Sequence, residues 1–240
     1  MGLTIHYSLK TAGDARALVQ QLHQAARDLP FKEVGEIVEL RDCRVDRRDL
    51  DNPNRWLLIQ AQAGINAGDA YVPVIPDRII AFSIRPGDGC EEANFGLCQY
   101  PSSVEHQGRQ IKTLLKGWSW RSFVKTQYAS DPQCGGIANF LRCHLGIVAL
   151  LDKAKLLGCL DSVRDEGGFW EARDVKALVP GIESWNQMIA AFAGQLKDNL
   201  GGVEAPITQF GNFEHLEMAG QDQLPRMQEL TRLIKQVVNN

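Results

Sequence analysis

The chain has 240 residues, of which 44% are hydrophobic and 23% charged, with a net charge of −3. That length and apolar content supply a sizeable core, which excludes a disordered chain. The slightly acidic balance excludes a global attraction to nucleic acid or anionic membrane, so any anion binding must be local.

Leu3 to Leu9 alternates, with Leu3, Ile5, Tyr7 and Leu9 on one side and Thr4, His6 and Ser8 on the other. This is the pattern of a half-buried strand. The opening residues Met1–Tyr7 lack a charged segment followed by an apolar one, so no signal peptide is expected. Asp14 is placed to cap a helix running to Asp28, with Ala15, Leu18, Val19, Leu22, Ala25, Ala26 and Leu29 at helical spacing and Pro30 to stop it. Strand-like runs follow at Glu36–Arg41, Trp56–Ala61 and Ile79–Arg85, separated by loops at Arg44–Asn54 and Gly64–Asp77. The turn Pro86-Gly87-Asp88-Gly89 leads to another strand at Asn94–Tyr100, and Trp118–Tyr128 reads as a strand too.

The second half changes character. Gly136–Leu157 predicts a long apolar helix; Asn139, Arg142, His144, Asp152 and Lys153 interrupt it, so it is a buried helix and not a membrane span. A short run at Leu160–Val163 and a helical stretch at Glu171–Val179 come next. Ser184-Trp185-Asn186-Gln187 fits a capping box before a helix with Met188, Ile189, Phe192 and Leu196, ending at Gly201-Gly202. A last amphipathic helix is expected over Gln223–Val238. Strands first and helices after predict an α+β fold: a mixed, mostly antiparallel sheet from the N-terminal half, covered by helices mainly from the C-terminal half. One domain over residues 1–240 is expected, and any division would fall near residue 130.

The stretch between His106 and Ser130 holds no acid, but carries Arg109, Lys112, Lys116, Arg121 and Lys125 among Trp118, Trp120, Phe123 and Tyr128. On a strand, Trp118, Trp120, Ser122 and Val124 share the face expected to be core, with Tyr128 in line with them. Arg121, Phe123, Lys125 and Gln127 share the other. A ring flanked by cations, leading to a helix start at Gly135-Gly136, can receive an anionic or planar ligand. The plainer reading of the same face is a solvated sheet surface.

Cys134, just before the expected helix, would gain thiolate character from the helix dipole, with Gln127 and Gln133 upstream as oxyanion donors. A thiol hydrolase or transferase also needs a histidine in reach. If both residues are helical, His144 lies roughly 15 Å along the axis, which leaves His215 or His106. The same geometry argues against a metal site from Cys134, Cys143 and His144, whose ring falls on the apolar stripe and reads as a hydrogen-bonded core histidine. Asp165-Glu166-Gly167-Gly168 reads as a tight turn before a helix rather than a cation loop. No phosphate-binding loop, dinucleotide fingerprint, zinc-helix motif or nucleophile elbow occurs in the chain. The sequence leaves any cofactor unknown. The six cysteines show no C-x-x-C pair and read as reduced thiols of a cytoplasmic protein.

The preferred expectation is therefore a cytoplasmic binding protein whose partner is an anionic small molecule or a protein, with Arg121, Phe123, Lys125, Gly135 and Gly136 at the site. The alternatives are a thiol enzyme using Cys134, and an immunity-like or scaffold protein with no small-molecule site.

Overall fold

The computed structural model describes residues 3–41, 43–44, 51–67, 70–176, 178, 181–184, 186–187, 190–191, 194, 206–210 and 213–221. The first strand, β1 (Thr4–Thr11), carries the predicted alternation and lies inside a seven-stranded sheet. It pairs antiparallel with β10 (Trp118–Lys125) on one side and β11 (Leu160–Asp165) on the other. Beyond β10 come β7 (Ala93–Gln99) and then β6 (Arg78–Arg85), and the edge is shared by β2 (Glu33–Val34) and β3 (Val38–Leu40). Every pairing among the described residues is antiparallel, including two separate hairpins, β4 (Ala63–Ala67) with β5 (Ala70–Val74) and β8 (Ser103–His106) with β9 (Arg109–Lys112).

Two helices cover one face. Asp14 caps α1 (Ala15–Arg27) as expected, accepting the Ala17 N–H at 3.1 Å. α1 and α3 (Gly136–Leu156) bury Val19, Leu22, Ile147, Leu150 and Leu151 in the same core as Ile5, Tyr7, Leu9, Phe82 and Phe95. The aromatic contacts fix which side is which: His23 of α1 meets Phe82 edge-on at 5.0 Å, and Tyr7 stacks on Phe95 at 4.7 Å. The helical cover is thus shared between the two halves of the chain.

The opposite face is covered only in part, by α2 (Arg55–Gln60). This segment was expected to be a strand. It is a helix that buries Leu57, Leu58 and Ala61 while Trp56 points outward. The loop expected at Gly64–Asp77 is instead the β4–β5 hairpin. β10 stops at Lys125; Gln127 to Ser130 form a 3-10 turn, which takes Gln127 off the Arg121 face and buries it. There its side chain accepts the Leu3 N–H at 3.0 Å and donates to Asn186 at 2.9 Å. After β11 a short helix, α4 (Phe169–Ala172), ends at Arg173, whose φ of +55° breaks the expected longer helix. Residues 181–184 are already helical, so Ser184 does not begin a helix. The rest of the helix expected up to Gly201-Gly202 lies largely outside the described residues, and the helix expected over 223–238 lies wholly outside them. α5 (Phe213–Gln221) is the last described element.

A buried polar chain ties these parts together. Thr126 Oγ1 and His144 Nδ1 are 2.9 Å apart, and His144 Nε2 is 3.1 Å from Asp165 Oδ2. Asp165 also accepts the Gly167 and Trp170 N–H groups, at 2.8 and 2.9 Å, which makes the acidic segment the tight turn before a helix that its glycines suggest. Burial alone would raise the Asp165 carboxyl, but His144 and the two amides bring it below the ordinary carboxylate range. A group depressed in the folded state stabilises the fold above its unfolded pKa, and that stability is lost as pH falls through the folded value. Asp165→Asn should therefore cost roughly 3 kcal/mol at pH 7. In urea titrations the gap from the parent protein should narrow below about pH 4, where unfolded aspartate protonates. A gap that stays constant with pH would show that the carboxylate charge is not what stabilises the fold.

Candidate ligand-binding site

The site begins with a fault in the sheet. β10 and β7 pair in register at only two positions, Trp118↔Gln99 and Ser119↔Cys98. Beyond them the ladder stops, and side chains bond across the seam. The Asn94 carbonyl accepts the Tyr7 hydroxyl at 2.7 Å and the Trp120 indole N–H at 2.8 Å. Gln60, reaching in from α2, accepts from Asn94 Nδ2 at 2.9 Å and from the Ser122 hydroxyl at 2.7 Å.

Above this seam lies a cavity of about 1080 Å³. Tyr7, Asn94, Ser122 and Gln60 form its deep end, Trp56 and Ile59 of α2 one wall, and residues 161–164 of β11 the other. Strand register lays out the open face in rows. Arg121, Ser8 and Ser162 are cross-strand partners, and so are Phe123, His6 and Arg164. Phe123 and His6 are partly exposed, their rings 5.8 Å apart and tilted by 40°.

The charges are not equivalent. Lys125 pairs with Glu91 at 3.3 Å and stands 5.9 Å from the Phe123 ring. Asp161 is tied to Lys10 and accepts from Ser8 at 3.1 Å; the Lys10 hydrogen bond outweighs burial and holds its carboxyl below the usual range. Arg121 and Arg164 make no hydrogen bond or ion pair among the described residues. Two guanidinium groups thus line the cavity without an ion pair, Arg121 close enough to help lower the Asp161 carboxyl, and Glu92 lines it too.

Three of the expected site residues, Arg121, Phe123 and Lys125, line this cavity. Gly135 and Gly136 do not. Their N–H groups are used within the turn, donating to the Pro132 and Asp131 carbonyls at 3.2 and 2.9 Å, and the Asp131 side chain caps Gln133 at 2.9 Å. Cys134 sits in that turn, away from the cavity. Burial first, then Asp131 and Asp88, raise its thiol above the ordinary value. No hydrogen bond or ion pair among the described residues joins it to a histidine. His215 is an exposed residue of α5, and His106 lies at the tip of the β8–β9 hairpin. Among the described residues no group of three or more His, Cys, Asp or Glu is arranged to hold a metal, and no helix is long and apolar enough to cross a membrane.

Sequence reasoning missed Arg164, Gln60 and Trp56, and took His6 and Ser8 only as the polar side of a strand. The alternation of Thr4, His6 and Ser8 was the available signal for two of them. That β1 and β11 lie beside β10 is a long-range pairing no local pattern carries. Comparison of the chain with family models, with curated proteins and with solved structures finds no match.

Two outcomes check this geometry. Gln60→Leu leaves the Asn94 amide and Ser122 hydroxyl without their acceptor and should lower stability by roughly 1–3 kcal/mol in chemical denaturation. Alkylation of Cys134, followed by peptide mass spectrometry, should reach half its limiting rate only above about pH 8.5. A plateau already reached below pH 7 would mark an activated thiolate instead.

Proposed function

We propose that this protein binds a planar, anionic small molecule in the cavity over β10, β1 and β11. The observation that carries this reading is the pair of arginines, Arg121 and Arg164, without ion-pair partners among the described residues and set beside the Phe123–His6 ring pair in one concave site. An aromatic or heterocyclic ring fits the exposed face of Phe123, and a carboxylate, sulfonate or phosphate fits the guanidinium forks. The deep polar end at Gln60, Asn94 and Ser122 supplies donors and acceptors that fix orientation. A mostly concave site with a few convergent polar groups suits a small ligand better than a flat protein surface. Lys125, balanced by Glu91, contributes at the rim through Phe123. A cytoplasmic setting, where thiols stay reduced, agrees with six free cysteines.

The test is a fluorescence titration with anilinonaphthalene sulfonate, a planar aromatic anion, and with AMP and naphthoate as competitors. The parent protein should show saturable binding that both competitors reduce. The double variant Arg121→Glu, Arg164→Glu should weaken it by roughly tenfold or more, the worth of at least one charge-assisted hydrogen bond. Phe123→Ala should weaken it by less, and both variants should melt within a few degrees of the parent. Unchanged affinity in the double variant would remove the reading. So would a double variant that unfolds, because the arginines would then be structural.

A further inference from the structure

The bonds behind the deep end of the cavity fix which polar group is left for a ligand. Ser83 Oγ lies 2.5 Å from Asn94 Oδ1, and Ser122 Oγ lies 2.7 Å from Gln60 Oε1, both the lengths of O–H···O bonds. Asn94 Nδ2 is 2.9 Å from the same Gln60 oxygen, the length of an amide N–H bond. The three form one chain. Ser83 donates to Asn94, Asn94 donates to Gln60, and Ser122 donates to Gln60 as well. The Asn94 carboxamide is therefore used at both ends. Gln60 is used at its oxygen alone, where two donors fill both lone pairs. Its Nε2 makes no hydrogen bond among the described residues, which leaves two N–H donors for whatever enters.

The amide is held in that orientation. Gln60 is the last residue of α2, and the Tyr100 hydroxyl donates to the next carbonyl, that of Ala61, at 2.8 Å. Turning the Gln60 amide over would set its nitrogen against the Asn94 nitrogen and leave a buried donor without an acceptor. Trp56, Ile59 and Gln60 stand at helical spacing on α2, and all three line the cavity. This wall is apolar along its length and ends in one amide. A ring that covers the wall and carries an acceptor meets both parts of it. A ligand ending in a donor would oppose hydrogen to hydrogen, and an apolar end would desolvate the amide without pairing it. The deep end, formed by Tyr7, Asn94, Ser122 and Gln60, holds no charge, so a second anionic group there would be desolvated without a counter-ion.

We infer that Gln60 is the specificity-determining residue of this cavity, and that its ligands are aromatic acids carrying a neutral acceptor, such as a carbonyl, away from the acid. Arg121 and Arg164 hold the acid and Gln60 reads the acceptor. This rests on the cavity being the site for a planar anion, and narrows that class by the hydrogen-bond character of its uncharged end.

The test displaces anilinonaphthalene sulfonate with three naphthoates of equal charge: 6-acetyl-2-naphthoate, 6-isopropyl-2-naphthoate and 6-amino-2-naphthoate. In the parent protein the acetyl compound should bind at least roughly fivefold more tightly than either of the others, the worth of one hydrogen bond. Gln60→Glu keeps one oxygen for Asn94 and Ser122 and puts a second oxygen where the amide nitrogen was. The order should then invert, with the amino compound ahead of the acetyl one. Repulsion from the new carboxylate acts on all three ligands alike and cancels in their ratios. Equal binding of the acetyl and isopropyl compounds to the parent overturns the inference. So does a folded Gln60→Glu protein that still prefers acetyl to amino. Should that variant unfold, the ratio in the parent decides alone. Saturable probe binding without any preference among the naphthoates removes the role of Gln60 and leaves the proposed function standing. No saturable probe binding in the parent, or binding unchanged in the double arginine variant, removes the proposed function itself.

Discussion

The incomplete pairing of β10 with β7 is the constraint on which the rest of this structure depends. A continuous antiparallel sheet would have closed the face over the seam and satisfied its own backbone. Here the Asn94 carbonyl is answered by two side chains instead, the Tyr7 hydroxyl and the Trp120 indole, both anchored in the core. A buried carbonyl left unanswered would cost a sizeable fraction of a domain's stability, so these two bonds are what permit the ladder to stop there. Where it stops, Gln60 can enter from α2 and bond Ser122 and Asn94. The cavity is the space this arrangement leaves between α2 and β11.

The charge pattern follows from the same layout. Strand register puts Arg121 and Arg164 on neighbouring rows of the open face, while acids near them are already committed: Asp161 to Lys10 and Ser8, Glu91 to Lys125. An overall acidic chain can therefore present two guanidinium groups that make no ion pair among the described residues. On the far side of the sheet, Thr126, His144 and Asp165 fix the end of β10, α3 and β11 relative to one another.

Much of the fold was legible because it is written in local periodicity. The alternation of Leu3, Ile5, Tyr7 and Leu9, the Asp14 cap and the apolar run after Gly136 all became the elements they imply. The failure at Trp56–Ala61 has a physical origin: a six-residue apolar run fits a buried strand and a short helix equally well. The placing of Cys134 and of Gly135-Gly136 failed for a different reason. A helix start offers free amides only if the preceding turn does not use them, and Asp131 and Pro132 use these.

By itself, then, the amino-acid sequence determined the α+β class, the outward face of Arg121, Phe123 and Lys125, and the core role of Trp120 and His144, since each depends only on spacing within one element. The tertiary structure alone decided that this face is concave, that Arg164 and His6 join it, and that Lys125 is ion-paired while the arginines are not. Those outcomes depend on which strands become neighbours and where their pairing stops. Both are set by contacts between residues far apart in the chain, and no local pattern records them.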